Sequence, residues 1–144
     1  MIKTVAEVEK EIVEEFSLFD EWLEKYEYLI ELGGSLNLIP DSGKRDENLI
    51  KGCQSRVWLD ATYNNGTLEF RADSDAIITK GIISLLLRLF SGRTPQEILS
   101  SKLTFLQEIG LQENLSPTRA NGLLSMIKKI QAYALAYSTL EQQK

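Results

Sequence analysis

Between Thr4 and about Leu32 the apolar positions Val8, Ile12, Phe16, Phe19, Leu23, Tyr26 and Ile30 recur every three or four residues. That spacing keeps one apolar stripe on one face of an α-helix. Thr4 with Glu7 three residues on makes a capping-box start, and Asp20 is placed to cap a second helix if the run breaks across Ser17 to Phe19. Gly33 and Gly34 end the pattern. The stretch SLNLIPDSGKRDEN that follows has no period and reads as a surface loop.

The period then shortens to two. Residues 48–51 form a short apolar run, Val57, Leu59 and Ala61 alternate with Trp58, Asp60 and Thr62, and Leu68, Phe70 and Ala72 alternate with Glu69 and Arg71. Asn65 and Gly66 supply the left-handed backbone of a tight turn, so the last two runs are predicted to form an antiparallel hairpin within a three-stranded sheet. At ADSDAIITKG the helical period returns, with Asp73 or Ser74 as cap, a helix to about Phe90 and Gly92 as its stop. Thr94, Pro95 and Glu97 start a short helix, KLTFLQEIGL adds another ending at Gly110, and Ser116 with Pro117 opens a long C-terminal helix. Helices, a small antiparallel sheet and more helices make an α+β layer arrangement. At 144 residues the chain is expected to be a single domain over 1–144 with a core that needs no staples.

Composition removes classes of function. The net charge is −5 and the basic residues are dispersed, which argues against a nucleic-acid surface. AIITKGIISLLLRLF is interrupted by Lys80 and Arg88 and is too short for a bilayer, so no membrane partner is expected. The N-terminal segment turns acidic within a few residues and lacks the apolar run of a secretory signal, which predicts a cytoplasmic protein. There is one cysteine and no histidine. An internal disulfide, a Cys/His zinc site, a cluster held by several protein thiolates and a histidine-dependent nucleophile are therefore all excluded.

That cysteine, Cys53, sits at a polar junction between two apolar runs, whereas an inert free cysteine is usually a small buried hydrophobe within one. In the strand reading it lies at the tip between the first two strands, where a loop presents a reactive group from a rigid base. Gly52 removes a neighbouring side chain and frees the backbone. Lys51 and Arg56 flank the thiol and would favour its thiolate, a minority species at neutral pH for a free pKa of about 8.5. With no second cysteine to resolve a disulfide, the chemistry left to a single thiol is to accept a group and pass it on.

The segments GCQSRVWL (52–59), ADSDAIITKG (72–81), SGRTPQEIL (91–99) and LSPTRANGLLSMI (115–127) resemble, in order and spacing, the SufE family of cysteine desulfuration proteins. The N-terminal EKYEYLIELG resembles it too, so the match spans nearly the whole chain. The resemblance implies a sulfur acceptor that takes persulfide sulfur from a PLP-dependent cysteine desulfurase of the SufS type, stimulates it, and delivers the sulfur to a SufBCD-like scaffold complex. Cys53 matches the family's sulfur-accepting cysteine. The implied fold is shared with IscU scaffold proteins, but this chain lacks the further cysteines and the histidine with which such a scaffold holds a cluster. PLP belongs to the partner, and no cofactor is assigned to this chain.

Gly52, Gln54, Ser55, Asp73, Asp75 and Arg119 stand beside Cys53 as candidate hinge or partner-contact residues. Asp73 and Asp75 also suit helix capping, Arg119 in a first helical turn calls for a carboxylate partner, and Trp58 is expected in the core. A persulfide without a resolving cysteine has to be sheltered by burial, so the 50–56 loop is expected to turn the sulfur partly inward, with Gly52 as hinge. Two other functions fit the residues: a desulfurase-binding adaptor in which Cys53 is merely packed, and a thiol redox sensor.

Overall fold

The computed structural model describes residues 3–142. Helix α1 spans Val5–Phe16 and opens on the expected capping box. Glu7 N donates to Thr4 Oγ1 at 3.1 Å and Thr4 N donates to the Glu7 carboxylate at 3.1 Å. Val8, Ile12 and Phe16 bury the α1 part of the predicted stripe. The chain breaks after Ser17, and α2 runs Trp22–Gly33. Its cap position is Glu21, with no side-chain bond, and not Asp20 as the sequence predicts. Leu23 and Ile30 in the continuation of the predicted stripe are exposed, and α2 buries Leu29 instead.

The loop after α2 is more ordered than its composition implies. It carries 3-10 turns at Asp41–Gly43 and Asp46–Asn48 and runs beside the sheet, where Ile39 N donates to Ala72 O and Ala72 N to Asn37 O, each at 3.1 Å. Strands β1 (Val57–Asn64) and β2 (Thr67–Ser74) pair from Val57 with Ser74 to Asn64 with Thr67. Asn65 and Gly66 between them have φ of 52° and 86°, the two left-handed residues such a turn demands. Among the described residues the sheet has two strands, not three. The run at 48–51 contributes one bridge, Leu49 to Trp58, because a 3-10 turn ends at Asn48 and the chain turns again at Lys51.

Helix α3 (Ile77–Phe90) lies at the centre, packed on α1, α2, β2 and the long C-terminal helix. Asp73 and Ser74 do not cap it: they finish β2, the cap position is Ala76, and pairing with β1 wins over the capping signal. Gly81 lets α3 cross α2 at backbone contact, since a Cβ there would stand 2.1 Å from Leu29 O. Ser84 donates to Leu32 O at 2.9 Å across the same crossing. Arg88 of α3 pairs with Glu15 of α1, whose carboxylate also accepts from Tyr28 of α2. Burial and the bond to Glu15 push the Tyr28 phenol up to about 12. Helices α4 (Pro95–Ser100), α5 (Thr104–Ile109) and α6 (Pro117–Gln142) complete the structure, α4 on a second capping box of Thr94 and Glu97. The core joins Phe16, Leu29, Leu59, Phe70, Phe90 and Phe105 with the apolar face of α6 at Leu123, Met126 and Ile130. Among the described residues no helix is long and apolar enough to cross a membrane.

Candidate functional site around Cys53

The segment between Leu49 and Trp58 is a narrow loop tied at its base. Ile50 N donates to Val57 O at 2.8 Å. Arg56 is held from β2 and the turn beyond it: its N–H donates to Asp75 Oδ1 at 3.0 Å, and its carbonyl accepts from Ser74 Oγ at 2.8 Å and Asp75 N at 3.2 Å. Asp75 thus fastens the loop. Asp73 is bound within the chain as well, 2.9 Å from Lys44 Nζ and 3.4 Å from Lys80 Nζ. Burial opposes its ionisation, but the hydrogen bonds from Lys44 and Ser74 N hold its carboxyl below the usual range. Lys44 also lies over the half-buried Trp58 ring at 5.4 Å, so the expected core tryptophan instead packs under a lysine on the outer face of the hairpin.

At the tip, Gly52 takes φ of +93° beside α6, where a Cβ would come within 2.4 Å of Ser125 Oγ. Conformation and space both demand glycine here. The turn points Cys53 at α6, and its half-buried Sγ lies 3.6 Å from Gly122 O. Cys53, Gln54, Ser55, Thr79, Ile82, Ser116, Thr118, Arg119, Gly122 and Met126 line a pocket of about 260 Å³. The sequence singled out Cys53, Gln54, Ser55 and Arg119 of these as site residues. It did not single out Thr79 and Ile82 of α3 or Gly122 and Met126 of α6, though Thr79, Gly122 and Met126 lie within segments that carry the family resemblance. Arg119 is exposed at the pocket and has no ion pair among the described residues, so the expected carboxylate partner is not found.

Burial pushes the Cys53 thiol above its ordinary pKa. Lys51 and Arg56 do not offset it, because both are exposed and water screens their charge. The resting sulfur is therefore a neutral thiol, and its alkylation should follow a titration displaced to higher pH than the same cysteine in urea-unfolded chain. Iodoacetamide rates measured from about pH 6 to 10 in both states check this. A native midpoint at or below the unfolded one would show that the loop activates the thiol at rest.

The chain matches the family model SufE, Fe-S metabolism associated domain, over residues 10–134. It is 41% identical over 130 residues to a SufE-like protein of Rhizobium meliloti, covering 86% of this chain and 92% of that one. Its fold is similar to the solution structure of a hypothetical protein from Thermus thermophilus, with a TM-score of 0.75 at 22% identity over 92% of this chain and 96% of the other. The last likeness is one of fold alone. With a family model over most of its length and a relative covered nearly end to end, the chain belongs to the SufE family, and its role is sulfur transfer in iron–sulfur metabolism together with a cysteine desulfurase.

Proposed function

We propose that Cys53 is the sulfur-accepting residue, taking persulfide sulfur from a SufS-type cysteine desulfurase, raising that enzyme's turnover by clearing its cysteine, and passing the sulfur to a SufBCD-like scaffold complex. The observation that carries this reading is the single thiol of a SufE-family chain, set on a tied loop at the mouth of a pocket. Gln54, Ser55 and Arg119 border that pocket and are the proposed partner contacts. Asp73 and Asp75 act from behind by holding the hairpin and the loop base. Gly52 is the hinge about which the sulfur turns outward when the desulfurase docks, a change that differential contacts with the partner can drive.

The redox-sensor alternative asks for a resting thiolate, and burial keeps Cys53 protonated. Intact mass is the test. After incubation with a cysteine desulfurase, PLP and cysteine, the chain is expected to gain mass in steps of about 32 Da, reversed by reductant and absent without the desulfurase. No gain in mass while the desulfurase turns over cysteine would overturn the carrier role and favour the adaptor.

A further inference from the structure

The pocket behind Cys53 offers more than a thiol uses. Its volume of about 260 Å³ compares with roughly 30 Å³ for one water in the liquid. Gly122 lies inside helix α6, where glycine costs about 1 kcal/mol relative to alanine. Its φ is not positive, so the backbone does not require it. Nor does the thiol. A Cβ on Gly122 would stand 3.5 Å from Cys53 Sγ and 4.0 Å from its Cα and Cβ, ordinary contact distances. Room for a larger occupant on that side of the sulfur accounts for the missing methyl.

The second observation concerns Thr79. Its side chain is buried to 6% exposure and lines the pocket, yet its hydroxyl has no hydrogen-bond partner among the described residues. Among the described residues no side-chain oxygen sealed from solvent lacks a partner, so the Thr79 hydroxyl keeps some exposure to solvent. Threonines deeper in a helix satisfy themselves one turn back, as Thr139 does on Leu135 O at 3.0 Å. Thr79 stands in the first turn of α3, with Asp75 four residues back outside the helix. It is left as a free donor in the lining of the pocket that Cys53 shares.

Donor and acceptor thereby fit two states of one sulfur. A neutral thiol donates, and Gly122 O accepts from it. A persulfide is a stronger acid than its parent thiol, so its outer sulfur is an anion at neutral pH and calls for a donor. We propose that the pocket is fitted to the outer sulfur of a Cys53 persulfide, with Gly122 leaving the room and the Thr79 hydroxyl donating to that sulfur.

The inference rests on Cys53 being the sulfur acceptor. In the transfer, the Cys53 thiolate attacks the outer sulfur of the donor persulfide. A bond from Sγ to that sulfur forms at about 2.05 Å, the donor's own S–S bond breaks, and the donor's inner sulfur leaves as thiolate. The proton Cys53 gives up balances the one that thiolate takes on, and the transferred sulfur keeps its oxidation state, so no outside oxidant or reductant is needed.

The test needs no desulfurase. Cys53 is converted to a mixed disulfide with an aromatic thiol, hydrosulfide displaces that low-pKa leaving group, and intact mass counts the persulfide formed. Two rates are then compared: stripping of the outer sulfur by a small thiol, and alkylation of the unloaded Cys53. Thr79→Val is expected to speed stripping about tenfold, the scale of a lost hydrogen bond to a charged group, with alkylation within about twofold of the native rate. Thr79→Ser should restore slow stripping. Gly122→Ala should strip at least as fast as Thr79→Val while its thiol behaves as in the unaltered chain. Stripping at the native rate in both Thr79→Val and Gly122→Ala would overturn the inference and leave the carrier role standing. So would a native chain that forms no persulfide, or parallel changes in alkylation, which would mean that these residues only hold the loop. A chain that shelters a chemically formed persulfide but gains none from a desulfurase would overturn the carrier reading instead.

Discussion

A Cys53→Ser chain will take up no sulfur from a desulfurase supplied with cysteine, while binding that desulfurase about as tightly as the unaltered chain. The loss is total, because there is no other thiol to substitute and a serine hydroxyl is not ionised at neutral pH to attack a persulfide. Binding survives because a stable interface draws on roughly 800 Å² per partner, to which one sulfur atom adds little. The variant should therefore compete with the unaltered chain and suppress its stimulation of the desulfurase in proportion to their ratio. Intact mass, a binding titration and a turnover assay on mixtures measure the three effects. Reductant-labile sulfur on the Cys53→Ser chain would sink the assignment of the acceptor.

Gly81→Ala should be the most damaging single methyl added to the fold. Its Cβ would lie 2.1 Å from Leu29 O, 2.6 Å from Leu29 C and 3.2 Å from Leu29 Cα. All three are backbone atoms of α2, so no side chain can swing aside, and the two helices have to move apart. Overpacking costs about 1–3 kcal/mol in ordinary cores, and this crossing is expected at or above the upper end, with a fall in Tm of roughly 10 °C. Gly33→Ala is the control from the facing helix, where the nearest atom is Gly81 N at 3.2 Å. A small shift there is partly offset by alanine's helix preference of about 1 kcal/mol. Urea unfolding of both variants gives the comparison; equal midpoints would show that the crossing yields easily. Because α3 also carries Thr79 and Ile82 of the Cys53 pocket, Gly81→Ala should disturb that pocket as well.

The features that could be read from the sequence are those whose cause is local. The boxes at Thr4 with Glu7 and at Thr94 with Glu97, and the turn at Asn65 and Gly66, each satisfy their own backbone within a few residues. The α+β order of elements followed from period alone. The errors arose where distant segments decide. Asp73 and Ser74 carry a capping signal, but the register with Trp58 and Val57 draws them into β2. Trp58 alternates correctly, yet its cover is Lys44 from a loop whose path no period reveals. At the site, Cys53 and Gly52 stand out by their own chemistry. Gly122 lies 69 residues from Cys53 and meets it only because α6 passes under the loop. An amphipathic pattern tells that a helix buries a face, and not which residue of that face a loop tip will touch.

The ties at the base of the Cys53 loop also bear on time. The bonds between Ile50 and Val57 and between Arg56 and both Ser74 and Asp75 lie outside the arc of the proposed outward swing. A swing confined to residues 51–55 gives up one weak contact from Sγ to Gly122 O at 3.6 Å and no bond of the sheet ladder. Such a short, tethered movement belongs to the nanosecond-to-microsecond range of loop motion, whereas a typical enzyme turns over only about 10 times a second. A swing on that timescale would recur many thousands of times within one such turnover, so the proposed movement would not limit the pace of sulfur delivery.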